Sequence, residues 1–219
     1  MKLSKKNKFY HIIEDYQVYR TWGVPSLNAA VSAVLKMPVH SLIFRYQHYL
    51  RRYLKNKNFD YEDGIWLTFH FGLNQYRPLI INRKCIYLRG EAVTYVEPFT
   101  TDNVEYLHIS SQTNFLSIIN TIKNYSIICA SIDGKIGSYD KNFYIGKCEV
   151  YYNSTMISAS QLLRKKVFFE LYYLDHLLRI QRKVCELTTS NFGEEIQKTF
   201  SEVLLKYPHN ARFKRFKNG

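Results

Sequence analysis

Residues 56–63 form a polar stretch with no hydrophobic period, and this break divides the chain into an amino-terminal part and a longer remainder. Before the break, Ser26 can cap a helix over residues 27–37, where Ala29, Ala30 and Ala33 are strong helix formers and Pro38 supplies a stop. A second helix is predicted over 39–54. In it Arg45, Arg51, Arg52 and Lys55 alternate with Tyr46, Tyr49 and Tyr53, so the cations occupy more than one face while apolar groups still find a side to bury. After the break, residues 85–88, 92–96 and 103–109 are β-rich and are separated by Arg89-Gly90 and by Pro98 with Thr100-Thr101-Asp102. They read as short strands of a small antiparallel sheet. Beyond them we expect a helix over 115–123, a buried strand over 126–132 ended by Asp133-Gly134, and a strand over 142–152. A long helix over 160–187 is predicted from Leu162, Leu163, Val167, Phe168, Leu171, Leu174, Leu177 and Leu178, and a last helix over 192–206. The fold class is α+β in three regions: a basic helical part at 1–60, a small domain at 61–110, and a mixed carboxy-terminal extension at 111–219 with a basic tail.

Charge narrows the choice of partner. The net charge is +13, and it is uneven: residues 1–60 carry 11 basic and 3 acidic side chains, residues 61–110 carry 4 and 6, and residues 161–219 carry 12 and 6. A domain held between two basic arms suits a polyanion, because arms add phosphate contacts without adding core. Aromatic residues make up 16% of the chain, with 19 Tyr and 14 Phe, and rings beside cations suit RNA bases and riboses as well as a core. That composition, rich also in Ile, Asn and Lys, points to an A+T-rich genome.

Several classes are set aside by the sequence. It has no run of about 18 apolar residues, and with a mean hydropathy of -0.30 a soluble chain is expected. Cys85, Cys129, Cys148 and Cys185 stand too far apart for a metal knuckle and read as buried thiols of a reducing compartment. The seven histidines never occur as His-x-x-x-His or beside two carboxylates, so no metal site is proposed, and His70 within the apolar run 65–71 reads as a packed ring. No phosphate-binding glycine loop is present, and Tyr144-Ile145-Gly146 lacks the companions of a nuclease signature. The basic start runs directly into Phe9-Tyr10 and Glu14-Asp15, without a signal core or a long acid-free presequence.

The order of elements at 61–109 carries a resemblance. Tyr61-Glu62-Asp63-Gly64-Ile65-Trp66-Leu67, then Tyr76-Arg77-Pro78-Leu79-Ile80, then Leu88-Arg89-Gly90, then Asp102-Asn103-Val104 resemble the RNA-binding domain of the ribosomal small-subunit protein S-four family, in particular its divergent mitochondrial members. In that likeness Asp63 opens a helix, Arg77 with Leu79-Ile80 forms the second-helix core, Arg89-Gly90 is a turn, and Asp102 precedes the closing strand. The chain departs from the pattern at Tyr61, Tyr76, Pro78 and Leu88-Arg89, and residues 111–219 lie outside it. The resemblance implies two short helices against a small antiparallel sheet. It further implies a structural constituent of the small ribosomal subunit, not an enzyme and without cofactor, metal, small-molecule substrate or membrane, bound to rRNA and neighbouring ribosomal proteins in mitochondria, or alternatively in the cytoplasm. Arg45, Arg51, Arg52, Arg77, Arg83, Lys84 and Arg89 are the expected RNA contacts, with Arg212, Lys214 and Arg215 as a second arm, and the acids Glu91, Glu97 and Glu105 are expected on the opposite side. Two other readings stand beside it. Thr21-Trp22-Gly23-Val24-Pro25-Ser26-Leu27 resembles the nucleophile helix of papain-like thiol enzymes with Trp22 in the Cys position, which would make a silent peptide-binding module. A DNA-binding protein of a mobile element shares the electrostatics.

Overall fold

The computed structural model describes residues 5–44, 47–55, 57, 59–90, 101–110, 112–133, 139–188, 190–211 and 217–218. Three helices come first, α1 (Lys5–Thr21), α2 (Ser26–Phe44) and α3 (Gln47–Lys55). Helix α2 runs through Pro38 instead of stopping there. The ring is exposed, so the Val34 carbonyl that loses its donor lies on the open side, while Val39 and, a turn further on, Ile43 are buried and hold the helix to the core.

Six strands make the central sheet: β1 (Gly64–Thr68), β2 (Cys85–Gly90), β3 (Val104–Ile109), β4 (Ile127–Ser131), β7 (Val167–Leu174) and β8 (Ile180–Leu187), in the order β3-β2-β4-β1-β7-β8. All are parallel except β8, which forms an antiparallel hairpin with β7. This corrects the expectation of a small antiparallel sheet at 61–109, because β2 and β3 pair parallel and β4 inserts between β2 and β1. The number of residues between β2 and β3 is enough for the crossover that a parallel neighbour requires, and the strand expected over 92–96 lies outside the described residues. The sheet is shared between stretches on either side of residue 110. Strands β1, β4 and most of β7 are buried along both faces, the pattern of a covered parallel sheet.

Helix α4 (Phe115–Ile122) stands between β3 and β4, capped by the Asn114 side chain, which accepts from the Leu116 N–H at 2.9 Å. Residues 141–152 form a hairpin of β5 (Lys141–Ile145) and β6 (Cys148–Tyr152) where one strand was expected. Its turn glycine, Gly146 (φ +56°), packs so close to Trp22 that an added Cβ would lie 2.6 Å from that residue's carbonyl. Trp22 is thereby buried under the turn. The pair Lys217–Asn218, β9, adds to the outer edge of β6.

The long helix expected over 160–187 does not exist. Helix α5 (Thr155–Leu163) ends at Arg164 in the left-handed conformation, and the chain then makes β7 and β8. The apolar run Val167–Leu174 fits helical spacing, but it is continuous, aromatic and buried on both faces, which is what a central strand demands. Asp175 turns the chain, its carboxylate accepting from the N–H groups of Leu177 and Arg179 at 2.9 Å each. Helix α6 (Phe192–Lys206) and the short 3-10 helix Pro208–Asn210 follow.

Candidate active site

Thr68 of β1 pairs with Ser131 of β4, and the parallel register carries two residues further, so His70 and Asp133 leave the sheet side by side at its carboxyl edge. The next ladder bond is made, Ile132 N–H to the Thr68 carbonyl at 2.9 Å. The one after it is not. Where the ladder would offer the Ile132 carbonyl to the His70 N–H, the Asp133 carboxylate accepts instead, both oxygens lying at 2.9 Å, and the Ile132 carbonyl accepts from Asn153 N–H at 2.8 Å. The same carboxylate reaches the His70 ring, with Oδ1 2.7 Å from Nδ1. Asp133 is buried and His70 is 29% exposed along its side chain, so the acid is enclosed and the imidazole opens outward.

The segment that carries His70 is pinned on every side. Phe69 and Phe71 flank it in the core, Phe69 against Phe143, Phe169 and Phe200. Gly72 N–H donates to the Asn210 carbonyl at 3.0 Å and Leu73 N–H to the Tyr172 carbonyl at 2.8 Å. Gly72 has φ +52°, and a Cβ there would stand 2.3 Å from the Tyr172 carbonyl, so only glycine lets the loop lie this close to β7. Asn74 closes the arrangement: its amide donates to Thr68 Oγ1 and to the Phe69 carbonyl, and its oxygen accepts from Tyr172 N–H at 2.7 Å. Chemically, an imidazole held by a carboxylate on a rigid loop is the arrangement of an oriented general base. The chain leaves β1 toward β2 on one side of the β1–β4 pair and leaves β4 toward β7 on the other, and crevices at such switch points are where open parallel sheets bind ligands.

The residues expected to contact RNA are not brought together. Arg77 is fully buried, ion-paired to the equally buried Glu170 of β7, and so is a structural cation and not an RNA contact. Burial works against its charge, and Cys129, Glu170 and Tyr61 outweigh that effect and hold its pKa well above the usual value. Arg83 pairs with Asp63 at 2.6 Å and donates to the Tyr61 carbonyl at 2.7 Å. Lys84 pairs with Glu105 at 2.9 Å, so Glu105 lies beside the expected basic edge and not opposite it. Both basic residues precede β2, at the amino edge of the sheet, whereas Arg89 sits near the carboxyl edge with its guanidinium 5.5 Å from the centre of the Tyr106 ring. Arg52 is exposed on α3. Arg45, Arg212, Lys214, Arg215, the side chain of Arg51, and the acids Glu91 and Glu97 lie outside the described residues.

Sequence reasoning passes over the His70–Asp133 pair because 63 residues separate its members. No local signal marks the pair: His70 lies inside the apolar run 65–71 and Asp133 directly follows the run 127–132. Only the parallel register of β1 and β4, which sets each of them two residues past the last paired position, brings them together. Among the described residues, no group of three or more His, Cys, Asp or Glu side chains is placed to hold a metal ion. No protein-family model matches the chain, and a search of curated proteins finds no significant match.

His209, beside this loop in the carboxy-terminal 3-10 helix, is buried between α2 and β7. Its Nε2 lies 2.9 Å from the Leu174 carbonyl, and its Nδ1 lies 3.1 Å from Ser32 Oγ. Since Nε2 must donate to the carbonyl, Nδ1 accepts from the hydroxyl, and the ring is neutral. Burial pushes its pKa down to about 4. The unfolded chain, with a histidine pKa of about 6.5, therefore binds a proton between pH 6.5 and 4 that the folded chain refuses, and stability falls on acidification through that window. The contribution is about 3 kcal/mol, fully present above pH 6.5. Urea midpoints of wild type and His209→Gln, compared from pH 7 to pH 4.5, should converge as pH falls. Parallel curves would assign the acid sensitivity to other groups.

Proposed function

We propose that the chain is an acyl-transfer enzyme in which His70, oriented by Asp133, takes the proton from a hydroxyl nucleophile as it attacks an activated acyl carbonyl. The His70–Asp133 pair at the register-matched carboxyl ends of β1 and β4 carries this reading. The carboxylate sits on Nδ1, which fixes that nitrogen as the N–H and makes Nε2 the proton acceptor. With its lone pair on Nε2 the imidazole can take the proton of an O–H nucleophile, and the proton it gains in the attack can then pass to the departing group. Acyl transfer fits because a positioned base and an aimed hydroxyl are sufficient to start it, with the nucleophile supplied by the substrate.

The test is turnover of a panel of p-nitrophenyl esters and acyl thioesters, with water or a simple alcohol as acceptor. Wild type should release the leaving group, and His70→Ala should do so about 10²- to 10⁴-fold more slowly with its thermal midpoint preserved. Equal rates for the two proteins would reject the assignment, as would no turnover of any donor by wild type.

A second reading keeps one observation in its favour. The +13 charge concentrated toward both ends suits an rRNA-bound constituent of the small ribosomal subunit, gripping phosphate with little sequence reading. Co-migration of the native protein with small subunits on a sucrose gradient, abolished by ribonuclease, is the outcome that would favour it over the enzyme.

A further inference from the structure

Helix α2 turns an uncharged, apolar face outward. Leu27, Ala30, Val31, Val34, Met37 and Pro38 are all exposed, Leu27 at 76% and Val34 at 58%, and at 100° per residue they occupy one sector of the helix. The opposite sector, with Ala29, Ser32, Ala33, Val39 and Ile43, is buried, so the helix is apolar on both sides while only one side meets the protein. Its only lysine, Lys36, is drawn away to Asp15 of α1 at 2.6 Å. An apolar face of this kind, large in side chains and free of charge, marks a contact with something other than water.

The neighbouring helix identifies the contact. Helix α3 buries Leu50 and Leu54 and exposes His48, Tyr49, Arg52 and Tyr53, with Tyr49 at 64% and Tyr53 at 51%. The Lys57 ammonium lies 5.3 Å from the centre of the Tyr53 ring. Tyrosines with adjoining cations, next to an apolar helix face, are the side chains that settle at the headgroup level of a bilayer, where the ring is half in hydrocarbon and the cation meets phosphate. The exposed Arg52 on α3 and Lys57 just after it supply positive charge for an anionic surface. No single helix among the described residues is long and apolar enough to cross a membrane. The buried sector of α2, with Ala29, Ala33, Val39 and Ile43 held in the protein, leaves only its outer face for a bilayer, so the helix would lie on the surface.

We propose that α2 and α3 form a docking surface for an anionic lipid bilayer, α2 lying in the interface with Leu27, Val31, Val34 and Met37 among the acyl chains and Arg52 and Lys57 at the headgroups. This stands apart from the acyl-transfer reading, since it uses none of the residues around His70, and its test reads binding alone.

The full-length chain is incubated with vesicles of phosphatidylcholine containing about 30% phosphatidylserine, or of phosphatidylcholine alone, and sedimented. Wild type should pellet with the anionic vesicles and much less with the neutral ones. Leu27→Asp and Val34→Asp, both at exposed positions and so folded as judged by circular dichroism, should each lower the partition coefficient roughly tenfold or more. Arg52→Glu should weaken binding chiefly to the anionic vesicles. Failure of wild type to pellet, or pelleting of both Asp variants as well as wild type, would overturn the proposal. So would a concentration-dependent dimer dispersed by Leu27→Asp without lipid binding, which would assign the face to a second copy of the chain. Loss of pelleting only after ribonuclease would assign it to RNA.

Discussion

Asp133→Asn should lower kcat by about 10²- to 10³-fold while leaving the fold nearly as stable as wild type. The carboxylate meets two N–H groups of His70, the backbone through both oxygens at 2.9 Å and ring Nδ1 at 2.7 Å. An asparagine has one accepting oxygen and one donating nitrogen, so it can serve the backbone N–H or the ring N–H but not both as the carboxylate does. If the oxygen keeps the backbone, the amide NH₂ faces Nδ1, which must then become the acceptor, and the proton moves to Nε2. The ring stays in place with its basic lone pair on the wrong nitrogen. The stability cost is that of one weakened hydrogen bond, about 1 kcal/mol, because the strand-end contact survives. Asp133→Ala loses both contacts and should cost more in stability with no further loss of rate. Steady-state rates and urea midpoints on the three proteins decide the matter. Wild-type kcat in Asp133→Asn would mean that the carboxylate serves the strand end alone, and His70 would lose its assignment as an oriented base.

Local pattern is enough to locate several elements and too little to arrange them. Helices α4 and α6 and strands β2, β3 and β4 fall within a few residues of the segments expected from periodicity, because the polar or turn-forming residues that bound each one are local in the sequence. The direction of pairing is beyond its reach. β2 and β3 are β-rich segments separated by turn formers, a pattern that suits a hairpin, yet they pair parallel with each other, and β4 pairs parallel with both β2 and β1. The segment 160–187 shows the same limit: leucines at 171, 174 and 178 satisfy a helix, and the decisive fact, a covered sheet on both sides of β7, comes from β1 and β8. Arg77 is misjudged for a related reason. An arginine in a short segment expected to be helical reads as surface charge until its counter-ion is known, and that counter-ion is Glu170, far along the chain on β7.

The same ion pair sets the largest stability effect expected of a single side chain. Glu170→Gln should destabilise the fold by about 3–5 kcal/mol, since it removes the partner of two cations at once. Glu170 is fully buried, and it meets the Arg77 guanidinium through one oxygen and Arg182 through the other at 3.1–3.2 Å, while Tyr61 Oη donates to it at 3.1 Å. Arg77 has no solvent exposure and Arg182 has 15%, so neither charge can recover its hydration without local unfolding. A glutamine fills the same volume and can still accept from Tyr61, which confines the change to the lost charge. The comparison that isolates the pair is the double variant Arg77→Met with Glu170→Leu, in which no uncompensated carboxylate or Arg77 charge remains. It should regain a substantial part of the stability lost by Glu170→Gln, because replacing both partners of a buried pair costs less than orphaning one. Arg182, at the edge of the cluster and also donating to the Asp60 carbonyl at 3.1 Å, can then turn toward water. Urea unfolding of the three proteins at pH 7 measures this directly. A Glu170→Gln stability within about 1 kcal/mol of wild type would show that Arg77 finds its compensation elsewhere, as in Tyr87, whose ring centre lies 5.8 Å from the guanidinium.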